Sequence, residues 1–223
     1  MKNISSFNKD IYNFNPTVID NEGRGNVPMD LMSYMLKHYT VFFFGEVNDR
    51  SVSALCANIL HLSVQDNTRE ITIYINSHGG SLYDAIAVVD MMRYVSNPIS
   101  TVVLGKAFSA GALIAAAGTK GRRIAMENST IMLHQPSSGT QGTATDIQTA
   151  AEEIIRMKEM TNQMLTSFSS IEKNWFYKRI ERDWFIPAEE ALKLGLIDKI
   201  LYTNDEKNKG YGSSIADFNQ NKD

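Results

Sequence analysis

The segment "GKAFSAGALIAAAG", residues 105–118, places one hydroxyl, Ser109, just ahead of a run of small and apolar residues. A serine there has two uses. It can cap the start of a buried helix, its oxygen accepting a bond from an orphaned backbone N–H, or it can be a nucleophile held at the helix tip. Taken by itself the stretch favours the cap. A nucleophilic serine also needs a base at neutral pH, because its hydroxyl is too weak an acid to ionise unaided. The chain has four histidines. His38 and His61 fall beside apolar positions of amphipathic segments, where boundary and surface histidines sit. His78, inside "NSHGG", and His134, where "STIMLHQP" ends a strand before a proline turn, can each reach a neighbouring crevice. The base is therefore His78 or His134. The carboxylate that would orient the imidazole stays open among 25 acidic residues.

Two loops supply the rest of an acyl-transfer site. "NSHGGS" and "GKAFSAG" both lead from an apolar run into a helix start, which exposes unpaired N–H groups and the positive end of the helix dipole. A Gly-Gly pair lets the backbone approach a bound group and point amides at it. That is the chemistry of an oxyanion hole or of an anion site. Neither GxxxxGK[ST] nor GxGxxG occurs, and there is no HExxH, so the phosphate-binding and metalloprotease readings weaken.

The elements that must position these groups alternate. "PMDLMSYMLKHYTVFFFGEV" begins as an amphipathic helix and ends as a buried strand. "SVSALCANILHLSVQD" is helical, with Val52, Leu55, Cys56, Ile59 and Leu60 predicted on its core face. "EITIYINSHGG", "ISTVVLG" and "RRIAMENSTIMLHQP" read as strands. "SLYDAIAVVDMMRYV", "SAGALIAAAG" and "TATDIQTAAEEIIRMKEMTNQMLTSF" read as helices. Strands alternating with helices imply crossovers and a mainly parallel sheet, so the class is α/β, with the site at the carboxyl ends of the strands.

At 223 residues, the chain has ample length for one substantial core. Residues 16–203 are predicted to form one domain, between a polar arm or propeptide (1–15) and a polar tail (204–223). A net charge of -3 gives no general pull toward nucleic acid or anionic membranes. The single cysteine, Cys56, excludes an internal disulfide framework and a four-cysteine zinc site. No stretch approaches the roughly 18 apolar residues of a membrane span, and the opening lacks the pattern of a signal peptide. These features predict a cytoplasmic protein.

"YINSHGGS", "GKAFSAGA", "AAAGTKGRR", "NSTIMLHQP", "QGTATDI" and "ERDWFIPAEEALKLGLID" occur in this order and spacing. In this the chain resembles the caseinolytic protease ClpP family, the peptidases of the Clp system, from about Val18 to Leu201. The resemblance implies a serine endopeptidase of the ClpP/crotonase-like fold, a head domain with a protruding handle helix at about residues 138–168. It implies a triad of Ser109 in "SAGA", His134 in "HQP" and Asp183 in "RDWF", at intervals of 25 and 49 residues. It also implies an oxyanion hole from the backbone N–H groups of Gly80 and Ala110.

Further implications concern assembly. The family forms a homo-oligomer of two stacked heptameric rings enclosing a chamber, here with Gln141, Gly142, Asp146 and Arg182 at the ring-to-ring contact. Polypeptide substrates are fed by an AAA+ unfoldase whose loops would dock at Tyr74 and Tyr94. The chain itself would need no cofactor, ATP acting through the unfoldase, and its rings would hold this chain alone or mix it with a paralogue. Three departures stand out: His78 where the family usually has Pro, Ala110 where it has Met, and Thr72 where a tyrosine is frequent. Pro28 falls where a gating hairpin strand is expected, which puts pore gating in question. The rivals are a paralogue that needs a partner subunit or unfoldase for activity, a crotonase-type enzyme acting on acyl-CoA, and a binding ring without chemistry.

Overall fold

The computed structural model describes residues 16–20, 25–137 and 139–203. The predicted arm and tail lie outside these residues. A short hairpin, β1 (Thr17–Asp20) with β2 (Val27–Asp30), comes first. Pro28 sits within β2 opposite Ile19, so the proline does not break the strand. A two-stranded ribbon is all edge, and an edge tolerates a residue with no N–H to give.

The main sheet holds seven strands. β3 (Thr40–Val47), β4 (Ile71–Gly80), β5 (Ile99–Phe108), β6 (Arg123–Met126) and β9 (Lys199–Leu201) lie in that order, all parallel. The crossovers are α2 (Asp49–Gln65), α3 (Leu82–Tyr94) and α4 (Ala110–Ala116), while α1 (Leu31–Lys37) leads into β3. Ile71, Ile73 and Ile75 alternate inward along β4 against Ile59 of α2, Val88 and Val89 of α3 and Ile114 of α4 in one core cluster. In α2 the buried residues are Val52, Leu55, Ile59 and Leu62. Cys56 is half-buried and packs against the core, whereas Leu60 is 44% exposed, so of the predicted face only Leu60 turns outward. Leu62, three residues after Ile59, takes the inward position.

β4 runs through "SHGG" as read from the sequence, and β5 runs three residues further than predicted, to the end of "GKAF". Near its middle β5 changes partner. Residues 101–103 pair with β6, whereas residues 106–108 pair with β7 (Thr130–Leu133). The sheet forks at Gly105, which has a positive φ of 73°. Buried Ser129 spans the gap: its Oγ accepts from Gly105 N at 3.1 Å and donates to Val103 O at 2.9 Å. β8 (Trp184–Pro187) then adds antiparallel to β7.

Between β7 and β8 the chain makes α5 (Ala144–Phe168) and α6 (Lys173–Arg179), and α7 (Ala188–Lys193) precedes β9. The long helix predicted as a handle is α5, started by a capping box in which Thr143 and Asp146 bond each other's backbone N–H. Its first half is mostly exposed, Ile147, Ala151 and Ile155 included, and its second half buries Met157, Thr161, Asn162 and Leu165. Buried Arg123 fastens its far end. The guanidinium donates to Phe168 O and pairs with Asp198, at 2.8 Å from Nε and 2.6 Å from Nη2. Burial alone would raise the Asp198 carboxyl, but the bonds from Arg123 and the Gly121 amide outweigh it and leave the group below its ordinary value.

Candidate active site

Ser109 stands between the end of β5 and the start of α4, and its side chain makes no bond to the helix N-terminus. The cap reading fails on that point. Its backbone has φ 54° and ψ −119°, a region that non-glycine residues adopt only where the surroundings enforce it. One enforcing contact is the bond from Ser109 N to Met132 O of β7, at 2.8 Å. The hydroxyl points instead at His134, with 2.8 Å between Oγ and Nε2.

The sheet fork delivers His134. β7 runs beside the last residues of β5, so a residue just past Leu133 emerges next to one just past Phe108. The β7–β8 ladder delivers the acid in the same way. Leu133 faces Trp184, and one step further His134 meets Asp183, with 3.1 Å between Nδ1 and Oδ1. Asp183 itself is 60% exposed. Its neighbour Trp184 is buried, edge-on to Trp175 at 5.3 Å and under the Arg179 guanidinium at 4.8 Å, which fixes where the carboxylate emerges. Of the two candidate bases, His134 is thus the one bonded to Ser109, while His78 lines the same cavity. His61 is exposed, and His38 packs against the Tyr34 ring at 4.5 Å.

The glycine loop presses against the serine. A Cβ on Gly79, whose φ is 92°, would lie 2.7 Å from Phe108 O and 2.9 Å from Ser109 Cβ; on Gly80 it would lie 2.2 Å from Val47 O. A Cβ on Gly111 would lie 2.9 Å from Ser77 Cβ, so glycine there lets α4 abut β4. Ser77 Oγ donates to Gly45 O at 2.6 Å and accepts from Gly79 N at 3.1 Å, pinning the turn. Gly80 and Ala110 both line the cavity beside Ser109. That cavity, about 620 Å³, reaches between α4 and α5 and is walled by Leu113, Ile154, Met157 and Leu165. At its rim Tyr83 donates to Glu153, which accepts two bonds from Arg156 at 2.7 Å. Those bonds, Arg156 first and Tyr83 second, hold the Glu153 carboxyl down to about 2.

Sequence reasoning singled out Gly79 only as half of the Gly-Gly pair and did not single out Gly111, Trp184, Tyr83 or Glu153. For those four the signal was the tertiary contact itself.

The remaining predicted residues lie elsewhere. Tyr74 is half-buried and stacks on Phe42 at 5.5 Å, and Tyr94, 80% exposed, ends α3. Gln141 and Gly142 are exposed ahead of α5, and Arg182 is exposed beside Asp183. The Asp146 carboxylate accepts from Thr143 Oγ1 at 2.7 Å and Thr143 N at 3.0 Å, bonds that hold its pKa below the ordinary carboxylate value. Among the described residues no helix is long and apolar enough to cross a membrane.

A model of the Clp protease family matches residues 23–204. The chain is also similar to an ATP-dependent Clp protease proteolytic subunit from Ligilactobacillus salivarius (strain UCC118). The two are 42% identical over 189 residues, which cover 85% of this chain and 96% of the relative.

Proposed function

Since the chain belongs to the Clp protease family and is a serine peptidase, we propose that Ser109 is its nucleophile, His134 its general base and Asp183 the orienting acid. Supporting this reading is the hydrogen-bonded series from Ser109 Oγ through His134 to Asp183, at 2.8 and 3.1 Å, formed by a serine that caps nothing. His134 takes the Ser109 proton as Oγ attacks a peptide carbonyl, and Asp183 holds the imidazole tautomer with Nε2 free to accept it. His134 then returns the proton to the leaving amine, and water hydrolyses the acyl-enzyme by the same relay in reverse. The developing oxyanion is met by the N–H groups of Gly80 and Ala110. Losing one such donor typically costs about 2.7–4 kcal/mol of transition-state stabilisation.

The assembly is part of the same proposal. The family's two stacked heptameric rings would enclose the sites, with Gln141, Gly142, Asp146 and Arg182 at the ring-to-ring contact. The exposed first half of α5 suits burial against a second copy. The relative's name carries ATP dependence, and the sequence has neither GxxxxGK[ST] nor GxGxxG. ATP therefore acts through an AAA+ unfoldase, which docks at Tyr74 and Tyr94 and delivers unfolded polypeptides. Fluorophosphonate labelling of the purified protein, read with its assembly mass, tests this. Labelling of a large ring that vanishes in Ser109→Ala is the expected result. An intact ring without labelling would refer the chemistry to a partner subunit or unfoldase.

A further inference from the structure

The main sheet has a second face that the core does not use. Side chains alternate along a strand, and Val41 and Phe43 of β3, Ile73 and Ile75 of β4, Val103 of β5, Ala125 of β6 and Ile200 of β9 all belong to the core cluster. Their neighbours Phe42, Phe44, Tyr74, Leu104, Met126 and Leu201 face the other way, and none belongs to that cluster. Five of the six are half-buried, and Phe44 is 54% exposed. They form one apolar band, because Phe42 pairs with Tyr74 and Met126 with Leu201. From β3 to β9 the band crosses four strand spacings, about 19 Å. An apolar band on the outside of a fold marks an interaction site.

The chain leaves the sheet on this band. β9 ends at Leu201, and residues 205–223 lie past the Clp protease family match, which stops at 204. That segment is polar except around Tyr211, Ile215 and Phe218. We propose that residues 205–223 fold back onto the band, seat Ile215 and Phe218 on it, and so guard this face. Two large apolar side chains in a polar segment gain from burial. Ser214 and Asp217 stand in the S-x-x-D pattern of a helix start, and residues three apart share one side of a helix, so Ile215 and Phe218 enter together. Reach is ample: the twelve residues from Thr203 to Ile215 span up to about 40 Å when extended, twice the width of the band. The regulatory consequence rests on the proposed docking of an unfoldase at Tyr74. The tail and the unfoldase compete for one surface, and docking requires the tail to leave.

The experiment uses full-length assembled protein and a fluorescein-labelled peptide of residues 205–223, with binding read by anisotropy. A tethered segment acts at roughly millimolar effective concentration, so the wild type should bind the peptide at least about tenfold more weakly than Ile215→Ser/Phe218→Ser, whose own tail is released. Adding Phe44→Ser to that variant should abolish binding. Equal binding to wild type and tail variant overturns the proposal, as does binding that survives Phe44→Ser. Absent binding together with a lower assembly mass in Phe44→Ser assigns the face to a second copy and also overturns it. If the Phe44 variant does not assemble, the comparison of wild type with tail variant decides. The assay contains neither unfoldase nor ATP, so the two readings fail separately. Tail binding in a protein that no AAA+ unfoldase activates removes the docking reading alone, and the converse removes the tail alone.

Discussion

Replacing Gly79 by alanine should disable the enzyme while leaving it folded. The added methyl would stand 2.7 Å from Phe108 O and 2.9 Å from Ser109 Cβ. Ordinary contact begins near 3.4 Å, so backbone on one side must retreat by about 0.7 Å. Nothing flexible is available to absorb this, because the opposing atoms are the main chain of β5 and the nucleophile itself. A misplacement near 1 Å costs about 10²-fold in rate, and a side chain at φ 92° adds about 1–3 kcal/mol of backbone strain. Peptidase kcat is therefore expected to fall about 10²-fold, with slower fluorophosphonate labelling and an unchanged assembly mass. Gly121→Ala separates the two effects. Gly121 also has a positive φ, 87°, but nothing lies within 4 Å of the added atom, so this variant should lose stability and label at the normal rate. Gly79→Ala with more than half of wild-type kcat, or Gly121→Ala with an equal loss of labelling, would refute the argument.

Asp183→Asn should lower kcat about 10²-fold, less than the ~10⁴ known for a buried orienting carboxylate, because Asp183 is largely exposed and water can share the task; steady-state kinetics on an unaltered assembly checks it. Asp198→Asn removes one partner of a mostly buried pair and should cost about 3 kcal/mol at neutral pH, read as a lower Tm. The Asp198 carboxyl is lowered from 3.8 on folding, so its stabilisation is fully present above that value and is lost as pH falls through the folded pKa. The wild-type Tm should accordingly drop more steeply below about pH 4 than that of the variant. Trp184→Ala should cost about 3–5 kcal/mol and depress kcat more than KM, since it frees the strand that presents Asp183.

Most strands and helices of the central sheet were legible because each crossover between its neighbouring strands is local. The acid was not legible. Asp183 meets His134 through a ladder between two four-residue strands with the whole of α5 and α6 intervening, and no periodicity in either strand names its partner. Only the resemblance to a known family singled it out. The exchange of Leu60 for Leu62 in α2 has a similar cause: both positions are apolar and helical, and packing against the sheet chose between them. Ser109 was ambiguous for a different reason. Caps and nucleophiles occupy the same place at a helix start, and the difference is the direction of one hydroxyl, which β7 decides by holding the Ser109 amide.

At the fork of the sheet a single hydroxyl, that of Ser129, takes the place of a missing rung, receiving from Gly105 N and giving to Val103 O. Few side chains do both in so small a space. Alanine leaves the buried Val103 carbonyl without this partner, and a side chain larger than threonine should strain the joint between β5, β6 and β7. Tolerance to substitution at this position should therefore be as narrow as at the catalytic residues. Ser129 never meets a substrate, so a library scored by survival alone would rank a joint in the scaffold beside the chemistry it supports.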